Sequence, residues 1–173
     1  RRSYDLKKKW DDVAETKLEP DEPYIFCYFL SVSPLAIETV KKMRELTGLK
    51  VLHFNLNALD KFNSEYNIRI VGPTDFIGLI SRATYVCTNS FHCSAFSIIY
   101  RKNFIFIPKN MANERITSLM DKFGISNVFA SKERIESLKL EDLEVDYSNT
   151  EICISNFISQ SKEFLHNSLS DER

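Results

Sequence analysis

Short apolar segments alternate with helical segments five times along this chain, and the connections between them are short. The apolar segments that predict strands are 24–30, 49–54, 68–71, 85–87 and 104–107, with 128–129 as a last edge strand. Such alternation implies that each strand returns parallel to the one before it through a crossover helix. We therefore expect an α/β fold, a Rossmann-like parallel sheet with helices on both faces.

The chain of 173 residues is long enough to build one substantial core. Residues 1–22 are polar and predict a lead-in or linker, residues 23–148 the Rossmann-like domain, and residues 149–173 a carboxyl-terminal helix. Ser33 predicts a helix start and Gly48 its end, while Asn113 predicts the cap of a helix that ends at Gly124. Because the chain begins without methionine, we expect it to be part of a longer protein.

Composition argues against several functional classes. The net charge of −1, from 23 basic and 24 acidic residues, does not favour a nucleic acid or an anionic membrane as partner. No apolar run approaches the roughly 20 residues of a membrane-spanning helix, and no signal peptide is visible. The four cysteines lack metal-ligand spacing, so we expect no metal and reduced thiols in the cytoplasm. The four glycines form neither a dinucleotide-binding motif nor a P-loop.

The segment 84–99 carries the strongest indication of a site, because a buried strand runs directly into a helix there. Asn89 or Ser90 can cap this helix, and His92 lies in its first turn. The helix is expected to bury the apolar face formed by Phe91, Ala95, Ile98 and Ile99. Open α/β sheets bind ligands where strands end and helices begin, and free helix N–H groups favour an anion.

Other polar residues are candidates for the same site. Arg115 follows Asn113 in the first turn of a helix, where the macrodipole disfavours a cation by about 0.3–1 kcal/mol unless an anion lies nearby. Lys109 comes after a strand, and Ser94 lies near the start of the helix that holds the histidine. His53 also ends a strand, but a structural role is the simpler interpretation.

Several separated motifs, in the right order, carry a resemblance to a known family. They are Tyr-Ile-Phe-Cys-Tyr-Phe-Leu at 24–30, Gly-Pro-Thr-Asp-Phe at 72–76, Ala-Thr-Tyr-Val-Cys-Thr-Asn-Ser-Phe-His at 83–92, Phe-Ser-Ile-Ile at 96–99, Phe-Ile at 104–105 and Glu-Arg-Ile at 114–116. Residues 22–130 therefore resemble the polysaccharide pyruvyl transferase family. In place of the glycine that usually follows the family's histidine, this chain has Cys93, which we expect to add a side chain near the pocket.

The resemblance implies the carboxyl-terminal, donor-binding half of a protein with glycosyltransferase-B-like architecture. The missing amino-terminal domain would then be a partner, and the last helix would pack back toward it. The resemblance further implies transfer of a pyruvyl group from phosphoenolpyruvate to a saccharide or lipid-linked saccharide of a bacterial surface polysaccharide, without another cofactor. His92 would be catalytic, and Arg115, Ser90, Asn89, Ser94 and Lys109 would bind the anionic donor. A cytoplasmic location follows, with a peripheral position at the inner membrane face left open.

Two alternatives remain open at this point. A glycosyl- or sialyltransferase-like enzyme could bind the phosphate of a nucleotide sugar at the same helix start. A non-catalytic half-domain is the other alternative, because Cys93 departs from the family pattern. Phe76, Phe91 and Phe96 are interpreted as core residues rather than as a surface that stacks on carbohydrate.

Overall fold

The computed structural model describes residues 6–54, 63–109 and 114–170. The strands are β1 Tyr24–Tyr28, β2 Lys50–Phe54, β3 Tyr66–Ile68, β4 Tyr85–Thr88 and β5 Asn103–Phe106. The helices are α1 Leu6–Asp11, α2 Pro34–Thr47, α3 Pro73–Arg82, α4 Phe91–Ile99, α5 Glu114–Phe123, α6 Lys132–Ser137 and α7 Thr150–Ser170, with a 3₁₀ turn at Glu141–Leu143. All strand pairs are parallel in the order β3-β2-β1-β4-β5.

Both faces of the sheet are covered by helices, so the expected α/β fold is confirmed. On one face, side chains of the strands pack with α3, α4 and α5; those from the strands include Tyr24, Phe26, Leu52, Val86 and Phe104. On the other face, the strand side chains pack with α2 and α6. The strand residues on that face include Ile25, Cys27, Val51, Cys87 and Ile105. Buried parallel strands are apolar on both faces, which explains why the strand segments read as continuous apolar runs.

The predicted ends of α2 are confirmed. The Ser33 hydroxyl accepts a hydrogen bond from the Ala36 N–H, as an N-cap does. Gly48 closes the helix in the left-handed region, with φ of 69°, and its N–H donates to the Arg44 carbonyl at 2.8 Å. The Asn113 cap predicted for the later helix lies outside the described residues, and that helix is observed from Glu114 to Phe123.

Two predicted strands differ from the observed ones. β3 covers 66–68 rather than 68–71, because Gly72 is the N-cap of α3 and the residues before it form the connection. The last edge strand is reduced to one parallel bridge between Phe106 and Phe129. Helix α6 and the 3₁₀ turn were not predicted from the sequence; both are shorter than eight residues.

The segment before β1 packs on the domain. Helix α1 carries Trp10, whose ring lies edge-on to Phe96 of α4 at 4.9 Å between centroids. Further along, Thr16 lies against Gly78 of α3, and Glu19 forms an ion pair with Arg82 at 3.1 Å. This part of the expected lead-in or linker therefore has tertiary contacts of its own.

Helix α7 packs on the domain through its first turns. The Thr150 hydroxyl donates to the Phe123 carbonyl at 3.2 Å, and Phe157 meets the Phe123 ring edge-on. Beyond this contact, Phe164, Leu165 and Leu169 are 70%, 57% and 72% exposed. Within the described residues, no helix is both long enough and apolar enough to cross a membrane.

Candidate functional site

A cavity of about 760 Å³ opens at the carboxyl ends of the strands. It lies on the sheet face that is covered by α3, α4 and α5, and residues from all three helices line it. The order in which strands are added to the sheet reverses between β1 and β4. From β1 the chain adds β2 and β3 on one side, and it then adds β4 and β5 on the other side. Ligands of open α/β sheets bind at such a switch point, so both the position and the size suit a ligand site.

Hydrogen bonds fix the backbone at this switch point. The Thr88 hydroxyl donates to the Tyr28 carbonyl at 2.6 Å and accepts from the Ser90 N–H at 3.0 Å. The Asn89 side chain accepts from the Leu30 N–H and donates to the Ser31 carbonyl, each at 2.8 Å. The end of β4 is therefore joined directly to the loop after β1. Asn89 lines the cavity, but both ends of its amide serve this loop.

Ser90 and Ser94 occupy structural positions at the start of α4. Ser90 is the N-cap, and its hydroxyl accepts from the Cys93 N–H at 3.5 Å. The Ser94 hydroxyl donates to the Ser90 carbonyl at 3.0 Å, and its side chain is fully buried. Ser90 lines the cavity, whereas Ser94 is not among the lining residues. The structure thus brings Ser90 to the candidate site and turns Ser94 toward the sheet.

The buried face of α4 differs from the predicted one. Cys93, Ser94, Ser97 and Ile98 face the core, while Phe91 is only partly buried. Small side chains let the helix approach the sheet closely, and the Ser97 hydroxyl donates to the Cys93 carbonyl at 2.8 Å. The Cys93 side chain therefore points into the core. The expectation that it adds a side chain near the pocket is wrong. Burial raises the pKa of its thiol to about 12.

His92 lies where the sequence predicts it. The side chain is exposed and lines the cavity from the first turn of α4, with its ring edge-on to Phe91 at 5.8 Å between centroids. His92 is thus open to solvent and lines the cavity at the start of its helix. His53 is buried beside Phe29 and is not among the lining residues, which agrees with a structural role.

Two cationic side chains line the same cavity from other segments. Arg115 is exposed in the first turn of α5, and its guanidinium lies over the Phe91 ring at 5.5 Å from the centroid. Lys109 is half-buried and follows β5. The prediction that His92 and Arg115 face one pocket is confirmed. Three nitrogen-bearing side chains from α4, α5 and the segment after β5 thus line one cavity.

Aromatic side chains form much of the cavity wall. Tyr28 and Phe54 are stacked with centroids 5.1 Å apart, and Phe76 meets Tyr28 edge-on at 5.0 Å. Trp10 and Phe96 also line the cavity. Phe76, Phe91 and Phe96, which the sequence predicts as core residues, are only partly buried. They pack against the core, and each also contributes to the cavity wall. Trp10 and Tyr28 are lining residues that were not predicted from the sequence. For Tyr28, its place at the end of the central strand indicates a position near the ligand site.

Metal ligands are not grouped in the described part of the chain. Among these residues, no set of three or more His, Cys, Asp or Glu side chains is arranged to hold a metal ion. The described candidates for binding a charged ligand at the cavity are therefore the histidine, lysine and arginine side chains and the helix N–H groups.

Comparisons with known proteins agree with this architecture. The family model described as "Polysaccharide pyruvyl transferase" matches residues 3–109, which is more than half of the chain. No curated protein matches. Among solved structures, the UDP-GlcNAc 2-epimerase from Methanocaldococcus jannaschii is similar, with a TM-score of 0.50 and 11% identity. That likeness, which concerns the fold alone, covers 91% of this chain and 50% of the epimerase chain. The chain therefore spans about half the length of that structure.

Proposed function

Because the chain belongs to the polysaccharide pyruvyl transferase family, we propose that it binds phosphoenolpyruvate and supports transfer of its pyruvyl group to a saccharide. The acceptor is a saccharide or lipid-linked saccharide of a surface polysaccharide. One observation carries the proposal: His92, Lys109 and Arg115 come from three separate segments and line one cavity at the strand ends. A donor that carries both a carboxylate and a phosphate suits this arrangement.

The start of α4 adds hydrogen-bond donors for the same anion. The first intrahelical bond of α4 runs from the Ser94 N–H to the Ser90 carbonyl at 3.1 Å. The N–H groups of Phe91 and His92 precede it and have no carbonyl partner within the helix. They lie at the positive end of the helix dipole, beside the cationic side chains, so a phosphate there gains both charge and hydrogen bonds.

The proposed reaction needs a proton donor, which we assign to His92. The histidine gives a proton to the methylene carbon of phosphoenolpyruvate, and the second carbon then carries positive charge. One acceptor hydroxyl forms a bond to that carbon, and a second hydroxyl replaces the phosphate. Of the two protons that the hydroxyls release, one restores the histidine and the other leaves with phosphate. The products are a pyruvate ketal of the sugar and inorganic phosphate.

Two cationic side chains of the cavity suit the charge of the donor. Arg115 and Lys109 hold the donor, and Arg115 can bind a carboxylate or phosphate through two parallel hydrogen bonds.

The experiment follows phosphate release from phosphoenolpyruvate in the intact protein that contains this chain, with a panel of saccharide acceptors. His92→Gln should lower kcat at least about 100-fold, as for loss of a general acid. Arg115→Ala should weaken donor binding about tenfold or more. Lys132→Ala is the matched control, because Lys132 is an exposed cation on α6 at the opposite face of the sheet.

Thermal-shift measurements with phosphoenolpyruvate and with nucleotide sugars separate this proposal from its alternatives. Stabilisation by phosphoenolpyruvate that is lost in Arg115→Ala supports pyruvyl transfer. Stabilisation by a nucleotide sugar alone would point to a glycosyltransferase instead. An intact, folded protein that neither binds these donors nor releases phosphate would indicate a half-domain without catalytic activity.

A further inference from the structure

We infer that Phe91 is a positioning residue, which holds the guanidinium of Arg115 at the cavity before the donor binds. The inference rests on the proposed function, because it concerns the cation that would bind the carboxylate or phosphate of the donor. From the sequence, Phe91 is interpreted only as a core residue of α4. In the structure its side chain is partly buried and also lines the cavity, so it contacts both the core and the site.

One contact joins the first turn of α4 to the first turn of α5. The guanidinium of Arg115 lies over the Phe91 ring, with its central carbon 5.5 Å from the ring centroid. The face of an aromatic ring carries negative electrostatic potential and attracts a cation within about 6 Å of the centroid. The two side chains are therefore close enough for a cation–π interaction between separate helices.

Arg115 lacks the usual partner of an arginine side chain. Among the described residues, no carboxylate forms an ion pair with it. The side chain is exposed, and the positive end of the α5 dipole disfavours a cation there. The Phe91 ring offsets part of this repulsion without accepting the strong hydrogen bonds that a carboxylate would accept. The guanidinium N–H groups thus stay available to an anionic ligand.

The Phe91 ring is itself held in place. Phe91 directly follows Ser90, the N-cap of α4, whose N–H donates to the Thr88 hydroxyl at 3.0 Å. The ring packs against the core and meets the His92 ring edge-on at 5.8 Å between centroids. An anchored aromatic side chain can therefore fix the direction of a flexible arginine.

Holding the arginine in advance favours donor binding. A free arginine side chain samples many rotamers, and a ligand that must immobilise it loses affinity. When Phe91 keeps the guanidinium at the cavity, the donor meets a larger fraction of binding-competent molecules. Because cation–π interactions at exposed sites are modest, we expect this contact to contribute about two- to fivefold to donor affinity.

The first test is a double-mutant cycle on donor affinity. Calorimetry measures the dissociation constant of phosphoenolpyruvate for the intact protein that contains this chain. Phe91→Leu should raise this constant about two- to fivefold, because leucine keeps apolar packing but removes the ring. In the Arg115→Ala background, the same change should have no further effect. Phe91→Tyr, which keeps the ring, should retain the affinity of the wild type.

A second pair of an aromatic ring and a cation supplies the matched control. The Lys122 ammonium lies 4.8 Å from the centroid of the Phe157 ring, and neither residue lines the cavity. Phe157→Leu should therefore leave the affinity for phosphoenolpyruvate unchanged. Phe91→Leu would overturn the inference if it weakened binding equally with and without Arg115, because a purely structural role does not depend on that side chain.

The second test detects the contact itself and needs no donor. Protons above the face of an aromatic ring resonate upfield of their usual position. In NMR spectra of the free, intact protein, the Arg115 Hε signal is assigned by its loss in Arg115→Ala. This signal should lie upfield in the wild type and move downfield in Phe91→Leu. A signal that keeps its position in Phe91→Leu would contradict the contact.

The two tests separate failure of the inference from failure of the proposed function. A wild-type protein that does not bind phosphoenolpyruvate contradicts the proposed function, while the Hε signal still decides whether Phe91 holds Arg115. A wild-type protein that binds phosphoenolpyruvate, and whose affinity does not change in Phe91→Leu, would overturn the inference alone.

Discussion

At the scale of single residues, the junction between β4 and α4 separates side chains that shape the site from side chains that can act in it. Thr88, Asn89 and Ser90 bond to backbone groups and set the loop geometry. His92 projects from the helix into the cavity. Polar side chains near a helix start are thus distinguished by where their hydrogen bonds go.

Cys93 is a residue that we expect to affect stability but not the site. The resembled family usually has glycine at this position. Its side chain is fully buried in the core, so Cys93→Gly removes packed atoms and places glycine inside a helix. We expect a loss of about 1–3 kcal/mol in the free energy of unfolding, measured with urea. The rate of pyruvyl transfer by the folded protein should stay within twofold.

The matched variant for this measurement is Cys153→Ala, which changes a half-buried cysteine on α7. Its effect on stability should be smaller. If Cys93→Gly instead altered the Michaelis constant of either substrate strongly, then Cys93 would influence the cavity despite its burial.

At the scale of secondary-structure elements, the segment between α1 and β1 depends on a close approach to α3. A Cβ atom at Gly78 would lie 2.8 Å from the Thr16 Cγ2 and 3.3 Å from the backbone carbon of Glu15. Both distances are shorter than ordinary van der Waals contact, so the segment requires glycine there. The segment leads back to α1, and its position therefore bears on Trp10 at the cavity.

Gly78→Ala should displace this segment at a cost of about 1–3 kcal/mol, as for other overpacked contacts. We expect faster proteolysis around residues 13–20 and a red shift of Trp10 emission as the indole becomes more exposed. Adding Thr16→Gly removes the opposing side chain. The double variant should therefore recover part of the resistance to proteolysis and part of the original Trp10 emission. An unchanged cleavage rate in the single variant would show that the segment adapts without leaving α3.

The elements that were predicted correctly are those with local signals. The cap at Ser33 and the left-handed Gly48 mark α2 within a few residues, and His92 follows from one strand-to-helix junction. The Trp10 contact joins residues far apart in the chain, and no local pattern reports it. On α4 the prediction followed the largest apolar residues, whereas serines that bond to their own helix allow the closer approach to the sheet.

At the scale of the whole molecule, three large apolar side chains on the outer half of α7 face solvent in the described structure. Phe164, Leu165 and Leu169 lie on one side of the helix and are mostly exposed. We expect another protein surface to cover them in the intact protein, because exposed apolar patches mark interaction sites. Uncovered, they form an apolar stripe that favours association.

The isolated chain of residues 1–173 should therefore fold but self-associate, and it should release almost no phosphate from phosphoenolpyruvate. Substituting Phe164, Leu165 and Leu169 with serine should restore the monomer, as measured by sedimentation. Ile37→Ser on α2 is the control, because Ile37 is exposed but isolated on another face. Rapid turnover by the isolated chain would show that the cavity is complete without residues beyond this chain.

The strand order also has a consequence for synthesis on the ribosome. β1 lies between β2 and β4, so one edge of its apolar strand stays unpaired until residues 85–88 have emerged. About 30 residues separate the end of β2 from the start of β4, which corresponds to roughly 2–6 s at ~5–20 residues per second. During that interval the nascent chain presents an open, apolar strand edge, which is the surface that chaperones shield and that aggregation uses.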